Sequence, residues 1–71
     1  MKKTYTVIMR EGGEIVAKRD YTNKKSAVDM GVWYLTQRLA YNGRDAKFIK
    51  EKVKEFRKTW NCFWICKIVE S

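Results

Sequence analysis

Five basic residues recur at three- and four-residue intervals in the second half of the chain, opposite a set of apolar residues. They are Lys47, Lys50, Lys54, Arg57 and Lys58. Residues three and four apart share one face of a helix, so this spacing predicts a cationic stripe on an amphipathic helix. Such a stripe can neutralise the phosphates of a nucleic-acid backbone. The alternative is an ordinary solvated face, because Lys and Glu both favour helices.

The charge of the whole chain is concentrated in two segments. The 71 residues hold 16 Lys and Arg against 8 Asp and Glu, a net charge of +8. Segments 2–25 and 44–58 each hold seven basic and three acidic residues, and the rest of the chain is neutral. The first segment therefore predicts a second block of phosphate contacts, with DNA and RNA both open as ligands. Its candidates are Lys18, Arg19, Lys24 and Lys25.

The missing residue types argue against enzymatic chemistry. The chain has no His, which removes the usual general base and the commonest metal ligand. Cys62 and Cys66 alone cannot complete the four-ligand shell of structural zinc. We therefore expect a non-enzymatic protein with no catalytic residue, no cofactor and no metal.

The spacing of the same two cysteines indicates in which cellular compartment the protein is expected. On one strand, Cys62 and Cys66 would lie about 13 Å apart, beyond the reach of a disulfide. Free thiols in a small domain predict a reducing, cytoplasmic location. The apolar run behind the basic N-terminus is too short for a signal peptide, and no apolar stretch approaches the roughly 20 residues of a membrane span.

Alternation and turn residues predict the secondary structure. Residues 3–10 and 14–21 read as a hairpin around a three-residue Glu11-Gly12-Gly13 loop, with Ile8 opposite Val16 and Met9 opposite Ile15. Periodic apolar residues predict helices over about 23–41 and 45–58. Aromatic and β-branched residues over 59–69 predict a third strand.

These elements predict one α+β domain over residues 1–71, with the order β-β-α-α-β. Two antiparallel helices would cover one face of a three-stranded sheet. Counting chain directions makes strand 59–69 parallel to the first strand. The preferred strand order is 2-1-3, with 1-2-3 as the alternative, and strand 59–69 is an edge in both.

The apolar character of strand 59–69 supports a second function class. Long apolar edges favour pairing with another strand, so a homodimer or a protein partner could add there. We expect Phe63 and Ile65 to form an uncovered patch with Ile8 and Val16, and Trp33 to be the exposed aromatic of the first helix.

The leading hypothesis is thus a small basic module that binds nucleic acid. The alternative is a protein-interaction or inhibitor module, of the kind that viruses and mobile elements encode, docking on an acidic protein surface.

Overall fold

The computed structural model describes residues 3–62 and 65–71 and confirms the α+β class with two helices. Four strands make one antiparallel sheet in the order β2-β1-β4-β3. In chain order the elements are β1 (Tyr5–Glu11), β2 (Glu14–Tyr21), α1 (Lys24–Tyr41), α2 (Ala46–Thr59), β3 (Asn61–Cys62) and β4 (Cys66–Glu70).

The C-terminal segment corrects the prediction of a single strand over 59–69. Helix α2 runs on to Thr59, and the chain then forms β3, reverses and returns as β4. The amide of Ile65 donates a hydrogen bond to the carbonyl of Cys62 at 3.0 Å, which closes the reversal. Because of that reversal, β4 is antiparallel to β1 instead of parallel, and it lies inside the sheet instead of at its edge.

The N-terminal hairpin forms with a different register from the predicted one. The loop has two residues, Gly12 and Gly13, both with positive φ, so Glu11 lies opposite Glu14. A shift between Met9 and Arg10 then places Met9 opposite Ala17 and Ile8 opposite Lys18. Two consecutive glycines suit the tight turn in which both central residues have positive φ, and that geometry matches strand twist better than the longer loop.

The side chains of Asn23 and Asp45 cap the two helices. Asn23 accepts hydrogen bonds from the amides of Lys25 and Ser26, and Asp45 accepts one from the amide of Phe48 at 2.8 Å. These caps satisfy amides that have no partner inside the helix. They fix where each helix begins, and so where its basic residues lie.

The core lies between the helices and the sheet. Helix α1 contacts β1, β4 and β2, whereas α2 contacts α1 and β3. The helices meet closely at Gly31, where an added Cβ would come 2.5 Å from Cζ and 2.7 Å from Cε2 of the fully buried Phe56. The buried apolar side chains are Val7, Met9, Ala27, Leu35, Leu39, Phe56, Ile65, Cys66 and Ile68.

Candidate nucleic-acid interface

The cationic stripe of α2, which we define as Lys47, Lys50, Lys54, Arg57 and Lys58, is exposed along its whole length. At 3.6 residues per turn, its five members fall within an arc of about 100° of the helix surface. The opposite side of α2 carries the buried Phe56 and the half-buried Phe48, Ile49 and Val53. Burial of that side therefore orients the stripe towards solvent.

Few carboxylates balance the stripe. Glu51 and Glu55 are exposed to one side of it, and Glu55 pairs with Lys52 at 3.7 Å. Lys52 is half-buried and lies outside the stripe. Within residues 3–62 and 65–71, the structure gives no salt bridge to any stripe residue. The positive electrostatic field of the stripe therefore extends into solvent, where it attracts anions.

The other basic segment meets the stripe at the C-terminal end of α2. Lys24 and Lys25, at the start of α1, lie beside Arg57 and Lys58 around a groove of about 440 Å³. Because Arg57 and Lys58 belong to both the stripe and this groove, Lys24 and Lys25 extend the stripe. We call this feature the Trp60 groove; it is lined by Lys24, Lys25, Val28, Asp29, Arg57, Lys58 and Trp60.

An aromatic ring lies in that groove. The Nζ atom of Lys24 is 5.0 Å from the centroid of the Trp60 ring, and Tyr5 meets the same ring edge to face at 5.9 Å. Lys25 pairs with Asp29 at 3.0 Å. Sequence reasoning included Trp60 in the predicted strand 59–69 and missed this position. The signal that could have found it is the antiparallel helix pair, which puts the start of one helix beside the end of the other.

Lys18 and Arg19, the other candidates of the first segment, lie elsewhere. Lys18 pairs with Ile8, whose neighbours in β1 face the helices, so Lys18 lies on the open face of the sheet. Arg19 pairs with Val7 and points to the helix side, but from the edge strand β2. Since α2 packs beside β3 at the opposite edge, these two residues do not join the stripe.

The predicted protein-interface residues separate in the structure. Trp33 is 59% exposed and Val16 is 53% exposed, whereas Ile8 is half-buried. The expected exposure of Ile65 is wrong, because the reversal after β3 turns Ile65 into the core at 8% exposure. Phe63 lies outside the described residues. The other exposed large apolar side chains of the sheet, among the described residues, are Ile15 and Val69, and Val69 lies opposite Thr6, away from Val16.

A larger cleft of about 840 Å³ lies at the other end of the helix pair, beside the Gly12-Gly13 turn. Glu11 pairs with Arg38 at 3.4 Å, and the guanidinium of Arg44 lies 5.0 Å from the centroid of Phe48. These contacts give Arg38 and Arg44 partners within the protein. Its charged lining comprises Arg10, Arg38, Arg44, Lys52, Glu11 and Glu55.

The two thiols lie opposite each other, which corrects the expected separation of about 13 Å. Cys62 on β3 pairs with Cys66 on β4 because the chain reverses between them. Both are free. Burial raises the pKa of Cys66 to about 12 and also raises the pKa of Cys62. At neutral pH both thiols are therefore protonated and react slowly.

Glutathione disulfide is expected to convert this pair into an intramolecular disulfide. Opposite residues of antiparallel strands have Cα atoms about 4.5 to 5.5 Å apart, inside the range that a disulfide spans. The half-buried Cys62 forms the mixed disulfide first, and the Cys66 thiolate then displaces glutathione from it. Two thiols are oxidised and one glutathione disulfide becomes two glutathiones.

Intact mass measurement should show the loss of two hydrogen atoms, at a rate that rises with pH as more thiolate forms. The Cys66→Ser variant should stop at the glutathione adduct. Exclusive formation of disulfide-linked dimers by the wild type would contradict the pairing.

Two other kinds of site are absent from the described part of the chain. Residues 3–62 and 65–71 contain no group of three or more acidic or cysteine side chains that could hold a metal ion. Neither helix is long and apolar enough to cross a membrane.

The fold and this surface define a two-layer α+β domain with a cationic helix on its outside. No protein-family model, no curated protein and no solved structure matches the chain.

Proposed function

We propose that the protein is a non-enzymatic module that binds nucleic acid through the cationic stripe of α2, extended by Lys24 and Lys25. One observation carries this proposal: basic residues from two separate segments adjoin in one exposed surface. Clustering of this kind favours a polyanion, because each neutralised phosphate releases counterions.

The position of the acidic residues supports the same ligand. Asp29 lines the Trp60 groove, and its carboxylate pairs with Lys25 at 3.0 Å. Among the described residues, no carboxylate forms a salt bridge with Lys24, Arg57 or Lys58, so these three groove cations are not neutralised by an ion pair. Free thiols in a small domain favour a reducing compartment, and we propose a cytoplasmic location.

A salt titration tests the proposal. Binding of labelled single-stranded and duplex oligonucleotides is measured by fluorescence anisotropy from about 50 to about 300 mM salt, because counterion release makes the affinity fall as salt rises. If most of the seven cations contact phosphates, the logarithm of the affinity should fall with the logarithm of salt with a slope of about −3 to −6. Absence of binding at the lowest salt, or affinity independent of salt, would sink the proposal.

A second candidate function, protein binding, is favoured by β2. This edge strand is exposed over Glu14 to Asp20, and its outer edge carries the unpaired backbone groups that an added strand uses. Lys18 and Arg19 on β2 favour an acidic, extended segment of another protein, as an inhibitor-type module would require.

Capture experiments distinguish the two functions. Wild type and the Val16→Lys variant are used to capture partners from a native lysate, with and without nuclease. Protein docking on β2 predicts a partner that withstands nuclease and is lost with Val16→Lys. A partner lost on nuclease treatment alone contradicts this second candidate and agrees with the first.

A further inference from the structure

The Trp60 groove combines two chemistries that phosphate binding alone does not need. Arg57 and Lys58 on one side and Lys24 and Lys25 on the other bring four cations to a space of about 440 Å³. Between them lies an indole ring, half-buried and in contact with Lys24. Duplexes present few base faces, whereas an unpaired base presents a flat π surface that stacks on aromatic rings.

The backbone of Trp60 is unusual for a tryptophan. Trp60 ends α2 in the left-handed conformation, with φ 59° and ψ 25°, and its amide donates to the carbonyl of Phe56. Glycine is the favoured residue at this position, because a Cβ makes the left-handed conformation unfavourable. The other left-handed residues of the described chain are the glycines Gly12, Gly13 and Gly43. Trp60 therefore has an unfavourable backbone conformation, and its large aromatic ring lines a basic groove.

We propose that the Trp60 groove binds one unpaired base of a single-stranded nucleic acid on the indole, with the flanking phosphates on Lys24, Lys25, Arg57 and Lys58. This inference rests on the proposed nucleic-acid binding and specifies its substrate class. It makes single strands, rather than duplexes, the preferred ligand at equal length.

Lys24 has a defined part in this binding. Its ammonium lies over the Trp60 ring in the free protein, where the cation–π contact holds both groups at the groove. A stacked base takes the place of the ammonium over the ring, and the ammonium moves to the adjoining phosphate. In the free protein the Lys24 ammonium thus covers the face of the Trp60 ring. When nucleic acid binds, its phosphates attract this ammonium away from the ring.

The Trp60→Gly variant tests the stacking. Glycine removes the indole and at the same time relieves the left-handed strain at the end of α2. Its affinity for an oligothymidylate should fall about ten- to hundredfold, the range measured when a stacking aromatic is removed. Its affinity for a duplex of equal length should stay within about twofold, because the phosphate contacts remain. Circular dichroism and thermal melting check that the variant is folded.

Trp33→Ala is the matched control. Trp33 lies in α1, is 59% exposed and does not line the groove. Its removal should leave both affinities within about twofold of wild type, since it takes away an aromatic of the same kind without touching the site. Equal losses in the two variants would overturn the assignment to the groove.

Crosslinking of the wild type keeps the proposal testable if Trp60→Gly does not fold. Irradiation of the protein with an oligonucleotide carrying bromodeoxyuridine, followed by tandem mass spectrometry, should place the crosslink on Trp60. Crosslinks confined to Trp33 or Tyr41 would overturn it.

Failure of this inference is distinguishable from failure of the proposed function. If neither oligonucleotide binds at low salt, nucleic-acid binding itself is wrong. If the duplex binds as tightly as the single strand, and Trp60→Gly binds both as wild type does, the stripe binds backbone only and the base site is wrong.

Discussion

Reversing Lys50 and Lys54 to glutamate is expected to weaken oligonucleotide binding by at least about 30-fold at about 0.1 M salt. Each phosphate contact contributes about 0.7 to 0.9 to the salt slope, so two lost contacts correspond to about 25- to 60-fold at that salt. The two introduced carboxylates add repulsion. The slope itself should become shallower by about 1.4 to 1.8. The measurement is the same anisotropy titration, repeated over the salt series.

The structure offers a matched control for this variant. Lys18 and Lys67 both lie opposite Ile8 on the open face of the sheet, and both are exposed. Lys18→Glu with Lys67→Glu changes the net charge by the same amount but leaves the stripe intact. The affinity of this control variant for the oligonucleotide should fall far less, because only the long-range electrostatic attraction is weakened. Equal losses in the two double variants would show that total charge, and not the stripe, governs binding.

Gly31→Ala is expected to lower the free energy of unfolding by about 2 kcal/mol. Overpacking a core costs about 1 to 3 kcal/mol, and we expect a cost at the upper end, about 3 kcal/mol, because the neighbour has little room to move. The neighbour here is the fully buried ring of Phe56. The higher helix propensity of alanine relative to glycine offsets about 1 kcal/mol of this cost. For a domain of this size, the loss corresponds to a fall of about 10 °C in Tm, measurable by thermal circular dichroism.

A double-mutant cycle separates the clash from other effects. Combining Gly31→Ala with Phe56→Leu removes the ring atoms that the new methyl group meets, so the double variant should be more stable than the sum of the single losses predicts. Gly31 lies within α1 and does not have a positive φ, so backbone strain does not contribute to the loss expected of Gly31→Ala. A stability of Gly31→Ala equal to or above that of the wild type would contradict the close helix contact.

The helices could be predicted from sequence because their signals are local. The predicted spans of about 23–41 and 45–58 compare with Lys24–Tyr41 and Ala46–Thr59 in the structure. A capping side chain precedes each helix, and the apolar spacing behind it has the helical period. The cationic stripe follows from the same period, since burial of one helix face exposes the other.

The C-terminal hairpin could not be predicted because its reversal carries no turn signature. The residues from Asn61 to Cys66 include neither Gly nor Pro, and aromatic and β-branched side chains favour strands wherever they occur. The error in direction followed from the missing reversal. The exposure expected of Ile65 and the distance expected between Cys62 and Cys66 failed for the same reason, because both assumed one continuous strand.

The hairpin register shows a different limit. Alternation in residues 3–21 identified both strands, but the choice between a two- and a three-residue loop depends on the twist of the strands and on long-range partners. The two-residue loop sets Glu11 opposite Glu14, an unfavourable pair of like charges. Arg38, which is 27 residues along the chain from Glu11, pairs with Glu11 at 3.4 Å and offsets that repulsion.

Under the proposed function, strand β2 bears on how many copies of the protein can share one nucleic acid. Molecules bound side by side on a polyanion reach high local concentration, which is the condition under which open sheet edges fuse into aggregates. Lys18 and Arg19 lie in the middle of the exposed edge strand of each molecule. Two such edges repel each other on approach, so neighbouring copies are expected to coat a strand as separate, exchangeable units.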